Sequence, residues 1–382
     1  MTSDTSPPGP APESPGAASG PPSAASRAAS AASAASAASA ASGPPDADGV
    51  DAQPPDAEGR GRRLRIGRLR DLALVPAIIA IAIVGYFVNP VFLSSDNLIN
   101  ILQTMAEIGL LVLAQSLVLI AGKMDLSLES TFGLAPGLAA WLIVEPGVTH
   151  GLGAVPGWAG IPITLAAGAV IGLINGLLIV RFRLHGFVVT LGMLIVLRGL
   201  LTGISGGQTF FGLPPSMMYL GSTIWLGVPV SVYVCFALFA LGIVALGYTR
   251  VGRSLYAIGG NPDAARAAGI RTDRVLWAVL VIASVLAALG GLMLSGRLAS
   301  VAAAQGNGAI FTVFAAAVIG GVSLNGGKGT VFGAFTGILL LYVIQNVLTL
   351  AGVPAQWIAA LNGAIILCAL IISRITSGRA QE

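Results

Sequence analysis

From residue 72 onward the chain is written in long apolar runs separated by short polar or glycine-rich breaks. A helix needs about 20 apolar residues to cross about 30 Å of hydrocarbon. Runs of that kind lie near 72–93, 101–121, 126–144, 158–181, 187–205, 223–248, 275–297, 310–320, 329–351 and 356–373. The eighth is short for a crossing, and the third contains Gly133, Pro136 and Gly137, so both are expected to be broken or re-entrant helices. The pattern predicts an all-α polytopic membrane protein with about ten transmembrane helices. Composition agrees, with 55% hydrophobic residues and only 9% charged ones, where a soluble domain carries about 25% charged residues.

Residues 1–60 break the pattern. They are mostly Ala, Ser, Pro, Gly and Asp, with an Ala-Ala-Ser triplet reiterated from Ala24 to Ser42. So few large apolar residues cannot offset the entropy of ordering, and the segment is expected to be a disordered, low-complexity tail. It has no apolar core of the kind a secretory signal carries. The apolar, membrane-embedded part then spans 61–375, and 376–382 reads as a short terminal tail.

The net charge of +4 is a topology signal here rather than a nucleic-acid footprint. With the N-terminus in the cytoplasm, ten spans put Arg60 to Arg70 inside, together with Lys123, Arg181, Arg183, Arg250, Arg253, Arg266, Arg271, Arg274, Lys328, Arg374 and Arg379. These are 17 of the 20 basic residues. Arg297 falls outside, Arg198 lies within a span, and Arg27 lies in the tail. Both termini are therefore expected in the cytoplasm of a plasma-membrane protein. Cys235 and Cys368 sit in apolar runs, and His150 and His185 in separate loops, so neither a disulfide framework nor a metal site is indicated.

The stretch GGVSLNGGKGTVFG, Gly320 to Gly333, tests for a nucleotide site. A phosphate-binding loop would need glycine where Val322 stands and a hydroxyl where Gly329 stands. The stretch is instead expected to be a tight turn, with Gly329 and Gly333 opening a helix-packing face. Gly168, Gly172 and Gly176 form one small-residue track, and Gly329, Gly333 and Gly337 another, five spans further on. Helices five spans apart run in opposite directions, as an inverted internal repeat requires.

The loop 249–275 carries a short helix in capping chemistry. Asn261 suits the N-cap, Pro262 the first helical position, Asp263 the positive end of the helix, and Gly269 the left-handed C-terminal position. Gly260 stands at the turn that would aim the helix, where a positive φ would call for glycine. Between the caps, Ala264, Ala265, Ala267 and Ala268 leave a face almost bare of side chains, suited to docking on a soluble partner. A lone helix this short is marginal in water and needs such a support.

At these residues the chain resembles a known family. GRSLYAIGGNPDAARAAGI is similar to the coupling loop of ATP-binding-cassette importer permeases of the ribose and branched-chain amino acid type, closest to the sugar branch. GKMDLSLES, INGLLIVRFRLHGFVVTLGMLIVLRGL and AAAVIGGVSLNGGKGTVFGAFTGILLLYVIQNVLTL resemble three further family segments, so the likeness covers about residues 70–375. It implies a ten-span permease, present in two copies as a homo- or heterodimer, with cytoplasmic ATP-binding subunits and an extracytoplasmic solute-binding protein. It implies a fold like that of the cobalamin-importer permeases, no cofactor and no catalytic residues. Gly260, Asn261, Ala264, Ala265 and Gly269 would form the ATPase-coupling loop. The family's small or apolar residue is replaced by Lys123, and its acidic residue is missing from GAIFTVF.

Polar residues within the spans are the pathway candidates: Asp125, Ser127, Asn175, Arg198 and Asn346, with Asp125 and Ser127 equally readable as a helix cap and Asn175, Gln345 and Asn346 as helix glue. Glu107, Glu129 and Arg198 should each face protein or water, since an unpaired centred charge costs about 2.5–3.5 kcal/mol in the bilayer. The sparse charge favours a neutral, hydroxyl-rich solute such as a monosaccharide or polyol, moved by alternating access. An ion-coupled secondary transporter using Glu107 or Glu129, and a permease for a branched-chain amino acid, remain as alternatives. A membrane enzyme would need a nucleophile–base or metal cluster that the sequence does not offer.

Overall fold

A computed structural model describes residues 74–147 and 149–358, with scattered positions up to 371. The expected tail, the cluster Arg60 to Arg70, most of the tenth expected span and the 376–382 tail lie outside the described residues. The regular structure within them is helical apart from one two-stranded hairpin. Six helices are long and apolar enough to cross a membrane: α2 (Ser95–Ile120), α4 (Gly160–Gly176, continued by a π-turn at Leu177–Arg181), α5 (Gly186–Ser205), α7 (Val230–Tyr248), α10 (Thr272–Leu298) and α12 (Val331–Leu350). Shorter apolar helices are α1 (Val75–Val88), α3 (Ser127–Ile143) and α11 (Ala309–Ile319).

The helix in the middle of the molecule is α2. Its apolar window is 78% buried, yet its mean hydropathy of 1.6 is the lowest of the six. That inversion follows from the solvent: a lipid-facing side chain must be apolar, whereas an interior one can be polar if it is paired. Thus α2 carries the buried Glu107, paired with Arg297, and the buried Gln115 and Ser116, whose side chains have no hydrogen-bond partner among the described residues, while α5 and α7 turn Ile195, Val196, Leu241 and Val244 outward. Around α2, the long helix α10 packs against α2, α3 and α4 and against the short helix α6 (Pro215–Ser222), and α12 packs against α2 and α11.

Two expectations change. The third span is one continuous helix despite Pro136. Proline supplies no N–H, which leaves the carbonyl four residues back, that of Phe132, without its helical partner. Gln305 donates Nε2 to that carbonyl at 3.2 Å and to the Gly291 carbonyl at 3.1 Å. Gly133 and Gly291 have no room for a Cβ beside the Gln305 and Phe132 carbonyls respectively, so the glycines permit the close approach that lets Gln305 reach. The sixth span begins only at Val230. Ahead of it, β1 (Ile224–Trp225) and β2 (Val228–Pro229) pair across a two-residue turn in which Leu226 and Gly227 hold φ of 49° and 82°. Two successive positive φ values give the turn twist that suits a hairpin.

The glycine tracks lie at helix contacts. Gly168 and Gly172 face the backbone of α10 at Ser284 and Val281, and Gly176 faces the Trp277 ring. Gly333 and Gly337 face the Gly320 and Ala316 carbonyls at the end of α11. Gly329 does not open that face. It lies before the N-cap Thr330, outside α12, with φ of 123°, and the Thr330 hydroxyl accepts from the Gly333 N–H.

Candidate functional site

The loop after α7 folds into two helices. Thr249 caps α8 (Arg250–Gly260), its Oγ1 accepting from the Gly252 N–H. Leu255 and Ile258 are buried beneath α8, while Arg250 and Arg253 are exposed. Asn261 then turns the chain into α9 (Pro262–Ala267), and its Oδ1 accepts from the N–H groups of Asp263 and Ala264, both at 3.0 Å. At the other end Gly269 holds φ of +81°, and the N–H groups of Gly269 and Ile270 bond the carbonyls of Arg266 and Ala265. That crossed pair satisfies two carbonyls the helix end would leave free. Arg266 adds an ion pair to Asp263 at 3.0 Å.

Two residues of this loop differ from their expected places. Ala265 is buried, not on the outer face, and it anchors α9 inward on the rest of the chain. The outer surface is formed by Pro262, Ala264, Ala267 and Ala268. Gly260 is the last residue of α8 and has no positive φ. The sterically required glycine is its neighbour Gly259, where a Cβ would run into the Ile120 carbonyl.

Beneath the loop three segments meet on glycines. Gly122 (φ 74°) follows α2, Gly259 is the last residue but one of α8, and Gly326 and Gly327 (φ 84° and 66°) lie between α11 and α12. The Gly327 N–H bonds the Ile120 carbonyl at 2.9 Å, and the Tyr256 hydroxyl donates to the Gly329 carbonyl at 2.8 Å. The glycine-rich stretch is thus a seat for the α8–α9 loop, and an N–H that a phosphate loop would offer to a ligand is already occupied.

The polar residues within the spans fall in separate places rather than along one path. Asp125 Oδ1 accepts from the Ser127 N–H at 2.9 Å and from its hydroxyl at 2.6 Å, and Asn175 Nδ2 donates to Ser127 Oγ at 2.8 Å. All three residues are fully buried, and Asn175 Oδ1 has no hydrogen-bond partner. Arg198 pairs with Glu129 at 2.7 Å, and the other Glu129 oxygen accepts from the Ile310 N–H at the start of α11. One carboxylate therefore ties α3, α5 and α11, and sits where the helix dipole favours it. Asn346 exchanges two amide bonds with Asn97, at 2.9 and 2.8 Å, and so fastens α12 to α2.

A third buried group was half-missed in the sequence. Glu107 accepts both Nε and Nη2 of Arg297, at 2.6 and 2.9 Å. From sequence Arg297 reads only as the residue at the outer, non-cytoplasmic end of its span; α10 continues to Leu298, and Arg297 reaches Glu107 from its last turn. Gln305 was missed altogether. The signal available for it was Pro136, which guarantees one unpaired carbonyl in a buried helix.

Residues 97–370 match a family described as the permease component of a branched-chain amino acid transport system. The chain belongs to that permease family. Relatives of the permease include the autoinducer 2 import system permease protein LsrC of Enterobacter sp. (strain 638), 34% identical over 304 residues, covering 79% of this chain and 86% of that one. The ribose import permease protein RbsC of Escherichia coli K12 is 31% identical over 310 residues, covering 78% and 92%. The galactose/methyl galactoside import permease protein MglC of the same strain is 33% identical over 331 residues, covering 81% and 96%. No solved structure matches the chain. A multi-pass membrane permease accounts for the lipid-facing apolar helices and for charges paired within the bundle. It also fits a capped helix whose outer face is exposed and whose loop rests on a glycine seat.

Proposed function

We propose that this permease is the membrane-spanning subunit of an ATP-binding-cassette importer for a monosaccharide or similar small polyol. The observation that carries the reading is the likeness, over about four-fifths of the chain, to import permeases named for ribose and galactose. An ATP-binding subunit in the cytoplasm docks on α9, with Pro262, Ala264 and Ala267 as the contact surface, Asn261 and Gly269 as its caps, Ala265 as its inward support, and the exposed Gly260 at the turn that leads into it. A solute-binding protein delivers cargo on the opposite face, and a second permease copy completes the channel. Asp125, Ser127 and Asn175 form the polar group placed to respond to passage, and Asn175 Oδ1 is the acceptor left open.

The same reading gives ten spans, both termini cytoplasmic, and an inverted repeat pairing the first five spans with the last five. Helix packing supports it: α4 lies on α3 and α10, as α12 lies on α11 and α2, which is the exchange such a repeat makes. The glycine tracks themselves face non-equivalent neighbours, α10 in one half and α11 in the other, so the repeat rests on helix order. Glu107 and Glu129 are each bound by an arginine, which disfavours either as the carboxylate of an ion-coupled carrier.

The test is reconstitution of the permease with its ATP-binding and solute-binding subunits in proteoliposomes. Uptake of labelled ribose or galactose must require ATP on the side of the ATP-binding subunit. Uptake driven by a proton or sodium gradient without ATP would overturn the reading.

A further inference from the structure

On the side of the molecule that carries α9, a cleft of about 410 Å³ lies between the loop after α2, the end of α4 and the start of α10. Lys123, Arg183, Arg266 and Asp273 line it over an apolar floor that includes Ile179 and Val180. A neighbouring hollow of about 240 Å³ shares Val180, Arg183 and Asp273 and adds Arg181, Arg274 and Trp277. Together the two hollows gather five cations around one carboxylate. Among the described residues, Arg266 alone of these five is in an ion pair, with Asp263. Four cations this close repel one another, and a bound anion would relieve that repulsion.

The backbone around the cleft is irregular in a way its sequence does not require. The helix α4 ends in a π-turn, Leu177–Arg181, and such turns cluster at functional sites. Two residues later Arg183 holds φ of 56°, a left-handed conformation rare outside glycine and costly to keep. The π-turn ends on Arg181 of the smaller hollow, and the left-handed residue is Arg183, which lines both. The surroundings are those of a membrane surface: Phe182, Leu184 and Phe187 are exposed, and Trp277 sits at the start of a crossing helix.

We propose that this cleft binds a phosphate-bearing anion, with Arg183 and Lys123 as its principal contacts. Arginine presents a planar fork of donors that matches phosphate oxygens, and lysine adds a point charge. The phosphate comes from an anionic phospholipid headgroup, whose acyl chains the apolar floor accommodates, or from a soluble phosphate ester. Arg266 belongs both to the cleft and to α9, so an anion there bears on the segment proposed to meet the ATP-binding subunit. This last link rests on the coupling role proposed above, whereas anion binding does not.

Trp277 supplies the reporter. The full-length permease is purified and placed in nanodiscs containing brominated phosphatidylglycerol or brominated phosphatidylcholine, and quenching of Trp277 is taken as the difference from Trp277→Phe. The anionic lipid is expected to quench at several-fold lower mole fraction than the zwitterionic one. Lys123→Gln with Arg183→Asn removes two cations, and asparagine tolerates the left-handed φ. Each removed charge weakens binding by about fivefold, so the double variant weakens it by roughly 30-fold. Arg274→Gln, on the surface of α10, gives a second variant that leaves the backbone irregularities alone. Loss of the lipid preference in these variants, unaffected by added inorganic phosphate, establishes the phospholipid. A change in Trp277 emission on adding inorganic phosphate or glycerol phosphate, absent in the variants, establishes a soluble ester. Equal quenching by both lipids with no response to phosphate, or a response the variants retain, overturns the proposal. ATP-driven uptake failing in the reconstituted complex leaves this binding result intact, so the two readings fail separately.

Discussion

Arg297→Leu is the most informative single change in the bundle. Glu107 is 1% exposed and has Arg297 as its ion-pair partner, whereas the Arg297 side chain keeps 28% of its surface exposed. Removing the arginine leaves a buried carboxylate with no counter-charge, which costs about 3–5 kcal/mol. Removing the carboxylate with Glu107→Leu leaves an arginine that still reaches water, so that loss is expected to be less than half as large. Replacing both, with Glu107→Leu and Arg297→Leu together, takes away the charge and its partner at once and should recover most of the stability. At roughly 2–4 °C per kcal/mol, Arg297→Leu is expected to lower the melting midpoint by about 10 °C. The assay is thermal unfolding of purified permease in one detergent, with size-exclusion profiles to confirm that each variant is monodisperse. The order of stability should be wild type, double variant, Glu107→Leu, Arg297→Leu. If Arg297→Leu melts with the wild type, or if Glu107→Leu is the worse of the two, the pair is not the structural tie described. If the double variant is stable but cannot support ATP-driven uptake, the pair serves transport as well as folding.

Other positions give sharper yes-or-no outcomes. Gly333→Leu drives a branched side chain into the Gly320 carbonyl, and is expected to aggregate in detergent; a monodisperse variant of wild-type stability would show that α12 can move off α11. Ala264→Glu, on the outer face of α9, should abolish co-purification of the ATP-binding subunit without changing permease melting, whereas Ala265→Glu, on the buried face, should lower the melting midpoint too. Retention of the subunit by Ala264→Glu would remove α9 from the docking surface. Lys328→Ala should leave ATP turnover of the assembled complex within a few-fold, and detectable ATP affinity of the isolated permease would contradict the reading of the glycine-rich loop.

The apolar runs set out most of the fold because lipid leaves little choice: a segment that long and that apolar has to be a helix in order to bond its own backbone. Eight of the expected spans correspond to helices to within a turn or two, the sixth starts late because Leu226, Gly227 and Pro229 make a hairpin that hydropathy does not distinguish from a helix, and the tenth lies mostly outside the described residues. The caps of α9 were also legible, since Asn261, Pro262 and Gly269 act on their immediate neighbours. What sequence could not supply was anything settled by distant pairing. Glu107 and Arg297 are 190 residues apart, and Phe132 and Gln305 are 173 apart. The inward face of Ala265 belongs with these. A six-residue helix whose apolar side chains are one proline and three alanines has no hydrophobic stripe to tell one side from the other, and its orientation is fixed by the bundle it sits on.

The same separation matters while the chain is being made. At about 5–20 residues per second, a ribosome needs about 10–40 s to travel from Glu107 to Arg297. For all of that time α2 is in or near the membrane with a carboxylate whose partner does not yet exist, and it is the least apolar of the six crossing helices. Glu129 waits less, because Arg198 follows 69 residues later. Until α10 arrives, α2 carries an uncompensated carboxylate that costs about 2.5–3.5 kcal/mol at the centre of the bilayer. Placing the least apolar of the six helices at the centre makes synthesis of the second half the event that supplies its counter-charge.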